Sequence, residues 1–253
     1  KHPKGIGNNN GMVGKFLQSH GKFGVSGLFD QEWMAYAIPA GTGVGIDDWS
    51  SNDFDYKALG FIEGAIITGG NGAGQAIGYS TLSVPGVPAW GKERKDFIRK
   101  EGRKILSLSA QPADFPSERN FIDLDPVTKD PDGLPVPRLT HDWHPQVTKM
   151  HAFIRSKIVE MMQKAGAKKV WGGETMTSPS STIHLTGGAI MGEDPKRSVV
   201  NRYCQVHDAP NVFAVGPSAF PYIGHWNGTE PAGALAYWVA DFIKAEVKKG
   251  RTL

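Results

Sequence analysis

Apolar residues recur every three or four positions in two long segments of the chain. Residues 146–167 carry one such stripe, with Pro145 before it and Gly166 near its end. Residues 230–248 carry the other stripe. This spacing is typical of a helix that buries one face, and proline before and glycine after such a run are typical helix boundaries. The sequence therefore predicts two long helices, and the charged residues 92–103 predict a third helix on the surface.

Shorter apolar runs predict strands. Residues 61–67 are apolar, partly β-branched and closed by glycines, which predicts a buried strand. Residues 120–124 alternate apolar and polar side chains, as a half-buried strand does, and they lie in a proline-rich stretch, 112–137, that predicts turns. Residues 212–215 predict a further strand. Because strands and helices are mixed without regular alternation, the predicted fold class is α+β (mixed α/β).

Composition narrows the classes of protein to consider. The chain has 253 residues, of which 40% are hydrophobic and 21% charged, as in an ordinary globular protein. Its net charge of +3 is spread along the sequence, which argues against a nucleic-acid partner, and no apolar run approaches the length of a membrane span. A single cysteine, Cys204, excludes an internal disulfide. The start, Lys1-His2-Pro3, has neither a signal peptide nor an initiator Met, so we expect a removed start or a piece of a longer chain.

Glycine-rich stretches at residues 41–45 and 69–74 could bind phosphate. The G-x-G-x-x-G spacing fails in both, because non-glycine residues such as Gln75 and Ile77 occupy the required positions. A Walker-type motif is also absent from the sequence. We therefore favour tight turns here, and the chain by itself does not show how a nucleotide is held.

Other catalytic motifs are weak. The sequence has no G-x-S-x-G elbow. His141 and His144 are three residues apart, but Pro145 makes the segment extended and no cysteine or carboxylate cluster completes a site, so no metal is predicted. Asn227-Gly228-Thr229 is formally a glycosylation sequon, but it lies in an apolar, aromatic segment, and glycan attachment is the weaker interpretation.

The strongest constellation lies near the end of the chain. In residues 182–192, His184 precedes a pair of glycines in a polar loop. After the strand at 212–215 come a second polar loop and the final helix, where Thr229 can cap the first turn and Pro231 suits it. The free N–H groups at such a helix start favour an anion. The pattern alone leaves open whether His184 and Asn227 are functional or are a surface histidine and a turn former.

These residues resemble the carboxyl-terminal signature of the glucose-methanol-choline (GMC) family of flavin oxidoreductases. His184 begins the family's loop, Met191-Gly192 closes it at the family's spacing, and Asn227 stands seven residues before Ala234-Leu235-Ala236. Further pieces follow in the family's order: residues 13–17 with His20, 116–120, 124–126, 129–138, 199–201, 211–215 and 218–221. The resemblance spans most of the chain. The matching segments are similar to those of gluconate- and sugar-dehydrogenase-like members.

The sequence departs from the family pattern at four positions. Leu185 replaces a proline, Gly188 a threonine, Asn201 an aspartate, and Gly216 an aspartate often found near the flavin. The family's first half, with its G-x-G-x-x-G motif, is also missing. The resemblance therefore implies an amino-terminal FAD-binding half as a partner, either a separate or a cleaved chain.

The resemblance implies a GMC-type substrate-binding domain with part of the FAD-binding domain and without the Rossmann amino-terminal half. Residues 1–110 are then a middle segment shared by the two domains. Residues 111–183 belong to the substrate-binding domain. Residues 184–253 carry the catalytic loop and the carboxyl-terminal part of the FAD-binding domain.

The function implied by the resemblance is FAD-dependent oxidation of a CH–OH group of a sugar, sugar acid or related alcohol, by hydride transfer to flavin N5. His184 is the implied base, and Asn227 hydrogen-bonds the same substrate oxygen. The residues implied to bind FAD are Gly216, Pro217, Gly228, Thr229 and Glu230. Those implied to line the substrate pocket are His225 and Trp226, of which the second could equally belong to the core.

Several alternatives stay open at this point. The chain could be a non-catalytic sugar-binding or scaffolding subunit that retains the fold, or a lyase that uses the same histidine. The electron-transfer partner could be oxygen, a quinone or a cytochrome, and the substrate and the compartment, cytoplasmic or periplasmic, are also open.

Overall fold

The computed structural model describes residues 5–33, 45–50, 54–70, 82–179 and 184–251. The glycine-rich stretches at 41–44 and 71–74, and Thr182 and Ile183 of the histidine loop, lie outside these residues. The strands are β1 (Gln18–Ser19), β2 (Phe23–Leu28), β3 (Gly45–Ile46), β4 (Ala65–Gly70), β5 (Ile105–Pro112), β6 (Phe121–Lys129), β7 (Pro135–Thr140), β8 (Lys169–Gly172), β9 (Leu185–Thr186), β10 (Gln205–Val206) and β11 (Ala209–Phe213). The helices are α1 (Lys92–Glu101), α2 (Pro145–Lys164) and α3 (Thr229–Lys248).

The chain divides into two compact units, each built from separated segments. Residues 21–112 and 145–177 form one, called here the sheet unit. Residues 1–20, 113–144 and 178–253 form the other, called here the loop-rich unit. This division rests on packing, whereas the domains implied by the sequence are functional, so that assignment stays a prediction.

The sheet unit is built on a five-stranded antiparallel sheet in the order β3-β4-β5-β2-β8. Helix α2 packs against β5, β2 and β8. Its buried apolar side chains follow the predicted helical spacing: Val147, Met150, Ile154, Ile158 and Met162. The predicted helix over 146–167 is therefore confirmed, starting at Pro145 and ending at Lys164.

Close packing in this unit depends on Gly27 in β2. A Cβ atom at this position would lie 2.9 Å from the ring of Phe29 and 3.1 Å from Sδ of Met162. Because these are closer than ordinary van der Waals contacts, the missing side chain lets α2 approach the strand.

A second apolar cluster of the sheet unit involves the surface helix. Val84 and Ile105 are buried, and Leu28, Phe97 and Trp171 pack against them. Phe97 lies in α1, whose predicted position at residues 92–103 is confirmed. Most charged residues of α1 are exposed, which explains the polar composition of that segment, while Arg94 donates to the carbonyl of Leu82.

The strand predicted at residues 61–67 is wrong in its bounds, because β4 begins only at Ala65. Phe61 is buried, as predicted, but Glu63 has φ 63° and is not extended. A Cβ at the next residue, Gly64, would overlap the backbone oxygen of Trp49. The run is therefore broken by a close backbone approach that an apolar pattern does not reveal.

The loop-rich unit contains three two-stranded pairs in the described part of the chain: β1-β9, β6-β7 and β10-β11. The strands predicted at 120–124 and 212–215 correspond to β6 and β11, which are longer or shifted in the structure. Its apolar core consists of Val199, Val200, Cys204, Val206, Ala219 and Val239. Helix α3 contributes Val239 to this core, and the predicted final helix is confirmed. Of the helices described here, none is long and apolar enough to cross a membrane.

Candidate active site

A cavity of about 90 Å³ in the loop-rich unit collects several of the predicted site residues. Its lining consists of His20, His184, Leu185, Thr186, Pro217, Ile223, Gly228 and Thr229. These residues come from four separate stretches: the end of β1, the region of β9, the turn after β11 and the start of α3. The structure thus brings His184, Pro217, Gly228 and Thr229 together, as the sequence predicts.

Pairing of β1 with β9 places two histidines against each other. The strands are antiparallel, with Gln18 opposite Thr186 and Ser19 opposite Leu185. The next pair in this register is His20 and His184, and the backbone N–H of His20 donates to the carbonyl of His184 at 3.4 Å. Their Nδ1 atoms are 3.0 Å apart, and the rings meet edge to face at 69°.

The loop that follows β9 is shaped by glycine. Gly187 has φ 86°, and a Cβ there would overlap the carbonyl of Phe16. Gly188 exchanges backbone hydrogen bonds with the opposite segment: it donates to Lys15 O at 2.9 Å and accepts from Gly14 N at 2.7 Å. The predicted Gly-Gly pair therefore lets two backbones meet closely beside His184.

Three consecutive polar residues, the two of β1 and the one that follows it, are buried. Gln18 and Ser19 are 0% exposed and His20 is 1% exposed. The amide of Gln18 donates to the carbonyl of Pro221 at 3.3 Å and accepts from the N–H of Ile223 at 3.0 Å. Because Ile223 lines the cavity, this side chain ties the turn after β11 to β1.

Asp114 also fixes β1 through a hydrogen bond. Its side chain is buried and accepts hydrogen bonds from Ser19 N at 3.0 Å, Phe115 N at 2.8 Å and His141 Nε2 at 2.9 Å. His141 was considered above as a metal ligand, and here it is a partner of this carboxylate. His144 packs its ring against Phe115 at 5.4 Å. Among the described residues, no group of three or more side chains is arranged to hold a metal.

The turn after β11 is fastened to the histidine loop through its backbone. Gly216 has φ 120°, which favours glycine, and begins a short 3-10 turn at Pro217. The carbonyl of Pro217 accepts from Gly187 N at 3.2 Å, and that of Ala219 accepts from Met191 N at 2.9 Å. Gly216 itself precedes the cavity-lining Pro217 in sequence.

The start of α3 differs from the predicted cap. Gly228 occupies the N-cap position and Thr229 is the first helical residue, with no side-chain cap hydrogen bond. The prediction that Thr229 caps the helix is therefore wrong by one residue. The first backbone bond runs from Ala232 N to Gly228 O at 3.0 Å. The N–H groups of Thr229 and Glu230 consequently have no acceptor within the helix and suit an oxygen that carries negative charge.

The remaining predicted residues lie around these positions in sequence. His225, Trp226 and Asn227 form the turn between Ile223 and Gly228, and Trp226 is 55% exposed. Asn227 and Glu230 are also exposed. In the part of the chain that the structure describes, these four residues and Gly216 flank the cavity rather than line it. Their roles stay predictions.

Sequence reasoning assigned no role to three residues of this site: His20, Gln18 and Asp114. His20 belongs to a stretch that resembles a family segment, so a signal was present. Its contact with His184 was not readable from the sequence, because the two residues are 164 positions apart. The hydrogen bonds of Gln18 and Asp114 have no sequence signal at all.

Known proteins resemble this chain in sequence. Residues 116–236 match the family profile described as GMC oxidoreductase, C-terminal. The chain is 34% identical over 95% of its length to the gluconate 2-dehydrogenase flavoprotein of Pantoea cypripedii, and 30% identical over 99% of its length to the fructose dehydrogenase large subunit of Gluconobacter japonicus. It spans 40% and 44% of these two relatives.

The fold is also shared with solved structures. A crystal structure of formate oxidase superposes on 94% of this chain, and on 48% of its own length, with a TM-score of 0.57 at 15% identity. At that identity the likeness concerns the fold alone. The profile match and the two relatives show that residues 116–236 are the carboxyl-terminal domain of the GMC oxidoreductase family.

Proposed function

We propose that the protein containing this chain is an FAD-dependent oxidoreductase that oxidises a CH–OH group of a sugar, sugar acid or related alcohol. The names of its relatives, a gluconate and a fructose dehydrogenase, support this substrate class. The observation that carries the proposal is the cavity itself. A histidine, a glycine-proline turn and a helix start, which are far apart in sequence, line one small space.

The residues around the cavity fit the polar edge of a flavin. The start of α3 offers the backbone N–H groups of Thr229 and Glu230 to an electron-rich edge. At Gly216, a Cβ atom would meet nothing within 4 Å, so the backbone there is open to a close approach. Gly228 and Pro217 complete this side of the cavity. When bound, FAD would supply the acceptor for the hydride of the substrate carbon.

The side chains of this chain would accept the proton of the substrate and orient the substrate. His184 would take the proton of the substrate hydroxyl, a role that suits an imidazole near neutral pH. Asn227 would hydrogen-bond the same oxygen and orient the carbon. His225 and Trp226, in the turn just before Asn227, would contact the rest of the substrate.

Helix α3 supports the further proposal that an amino-terminal FAD-binding half covers this chain. The helix is largely apolar, yet only Val239 and Glu246 are buried. Tyr237 is 80% exposed and Trp238 48% exposed. A large apolar face on a helix is typical of an interface. Because the chain spans 40% of its gluconate 2-dehydrogenase relative, the missing 60% is the proposed occupant of this face.

Native mass spectrometry and substrate-driven flavin reduction test the enzymatic proposal. The native protein should contain the amino-terminal half, as the same or a second polypeptide, and FAD. His184→Ala should then slow flavin reduction by about 10²- to 10⁴-fold, the usual contribution of a general base. His207→Ala, in a histidine that bonds Ser198 instead, should leave it unchanged. Absence of FAD, or full activity of His184→Ala, would refute the proposal and favour a binding subunit.

A charged side chain introduced on α3 tests the proposed contact with the amino-terminal half. Ala240 is exposed on this helix, and Ala240→Arg should weaken association with the amino-terminal half and lower the FAD content. Ala165→Arg, at an exposed position just after α2, is the matched control and should keep both. Equal FAD content in the two variants would show that α3 is not the contact surface.

A further inference from the structure

His20 is buried between two partners that constrain its protons. The residue is 1% exposed. Its Nε2 lies 3.1 Å from the carbonyl oxygen of Gly224, and its Nδ1 lies 3.0 Å from Nδ1 of His184. Each ring nitrogen of a neutral imidazole has one role, donor or acceptor, so the two contacts are linked.

The proton assignment starts at the carbonyl. Since the oxygen of Gly224 can only accept, Nε2 of His20 must carry a proton and donate it. Burial disfavours a charged ring, so the neutral His20 then has its lone pair on Nδ1. Nδ1 of His184 must therefore carry a proton and donate it to His20. The proton of a neutral His184 is thereby assigned to Nδ1, and its Nε2 holds the lone pair.

We infer that His20 is a positioning residue that holds His184 in the Nδ1–H form, so that Nε2 is the nitrogen able to take a proton. The tautomer follows from the contacts of the two rings, whereas its catalytic use rests on the proposed function. The lone pair on Nδ1 of His20, which accepts from Nδ1–H of His184, has a second effect. When Nε2 becomes protonated, the hydrogen bond to His20 remains intact and stabilises the imidazolium.

The backbone around His20 explains why its ring can act in this way. The antiparallel register of β1 and β9 brings the two residues opposite each other. Asp114 accepts a hydrogen bond from the N–H of Ser19, the residue before His20. Gln18 accepts one from the N–H of Ile223, the residue before Gly224, whose carbonyl faces Nε2 of His20. Buried side chains therefore hold the backbone next to His20 and next to its acceptor.

Nitrogen NMR of the assembled protein labelled with ¹⁵N-histidine measures the tautomer directly. The expected result is a protonated, pyrrole-type Nδ1 and a pyridine-type Nε2 for His184, and the reverse assignment for His20. His20→Leu removes the acceptor, so the His184 signals should shift toward a mixture of tautomers. His20→Asn, whose amide oxygen can stand near the position of Nδ1, should restore the Nδ1–H form.

Kinetics give a second readout. Hydrogen-bond partners of metal-ligating histidines contribute about 10- to 100-fold, and we expect a similar factor for a partner that orients His184. His20→Leu should lower kcat for flavin reduction by this factor with little change in KM, and His20→Asn should recover part of it. His207→Leu, a matched change in the same unit, should alter neither the NMR signals nor kcat. His207 lines a different cavity with Asn9, Asn10 and Asp208.

The outcomes separate this inference from the proposed function. A pyridine-type Nδ1 at His184 in the unmodified protein, or unchanged signals in His20→Leu, would overturn the inference even if the protein oxidises alcohols. An Nδ1–H His184 that disappears in His20→Leu would support it even if no substrate reduces the flavin. In that second case the inference about His20 would stand, and only the proposed oxidation reaction would be refuted.

Discussion

The sheet unit and the loop-rich unit are held together by different kinds of interaction. In the sheet unit, helix α2 packs against β5, β2 and β8 and buries a continuous apolar stripe that includes Ile154 and Ile158. In the loop-rich unit, strands of two residues such as β1 and β9 are fixed by buried polar groups. Gln18, His20 and Asp114 are the centre of that arrangement.

This difference has a physical consequence. Apolar packing is not directional, so a core tolerates changes that conserve volume. A buried hydrogen bond is directional, and removal of one partner leaves the other desolvated and unsatisfied. The sheet unit should therefore be robust to conservative substitutions, whereas the loop-rich unit should be sensitive to them. The candidate site lies in the sensitive unit, where side-chain positions are specified most narrowly.

The largest effect is expected for Asp114→Ala. Its removal leaves three donors without this acceptor: Ser19 N, Phe115 N and His141 Nε2. Each buried donor left unsatisfied costs about 1–3 kcal/mol of unfolding free energy. Denaturant unfolding of the purified protein measures this loss. Asp123→Ala, which removes an exposed carboxylate paired with Arg138, is the control and should change little. Equal losses would remove the distinction drawn between buried and surface polar groups.

Ile154→Ala should be nearly as damaging, but for a different reason. The side chain is 0% exposed in the core beneath α2, and its truncation should cost about 2–5 kcal/mol through lost transfer and a residual cavity. Ile154→Val should cost only about 0.5–1.5 kcal/mol. The contrast with Asp114→Asn is informative, because that isosteric change should still cost about 1.5–3 kcal/mol. Tolerance of Asp114→Asn together with intolerance of Ile154→Val would reverse the comparison.

Gly27→Ala tests how tightly the sheet unit is packed. The added methyl group would press on Phe29 and Met162, so we expect a loss of about 1–3 kcal/mol from overpacking. Gly24→Ala, in the same strand, is the control. Its Cβ would be 3.7 Å from the nearest atom, an ordinary contact, and its stability should stay close to that of the unmodified protein. Thermal unfolding of both variants gives the comparison.

The smallest effect is a pH dependence within the sheet unit. Burial lowers the pKa of His151 below its ordinary value of 6.5, and the nearby Arg155 adds to this, while the hydrogen bond to Gly173 O opposes it. A lowered folded-state pKa means that the unfolded chain binds the proton more readily, so this contribution to stability is present above pH 6.5 and is lost as pH falls from 6.5 through the lower folded-state pKa.

His151→Gln isolates that contribution, because its amide can still donate to Gly173 O but does not titrate. Its Tm should fall less than that of the unmodified protein as pH is lowered from above to well below 6.5. Parallel Tm curves for the two proteins would show that His151 does not carry the effect.

Agreement between sequence and structure is best where a local pattern repeats over many residues. The stripe of α2 was readable because each residue of a buried helix face reports the same period, and its bounds were predicted to within a few residues. The strand at 61–67 was misplaced because a close approach at Gly64 is a property of two backbones, Trp49 included. The N-cap of α3 was assigned to Thr229 rather than Gly228 because helix starts shift by a residue at little energetic cost.

The sequence by itself determined the helices, the mixed fold class and the family resemblance, because these depend on local spacing and on residue order. Only the tertiary structure decided that His20 contacts His184, that Asp114 accepts from Ser19 next to His20, and that Pro217 and Gly228 line the same cavity. The physical reason is that hydrogen bonds act over about 3 Å whatever the distance along the chain. A contact between residues 164 positions apart therefore exists only once the chain has folded.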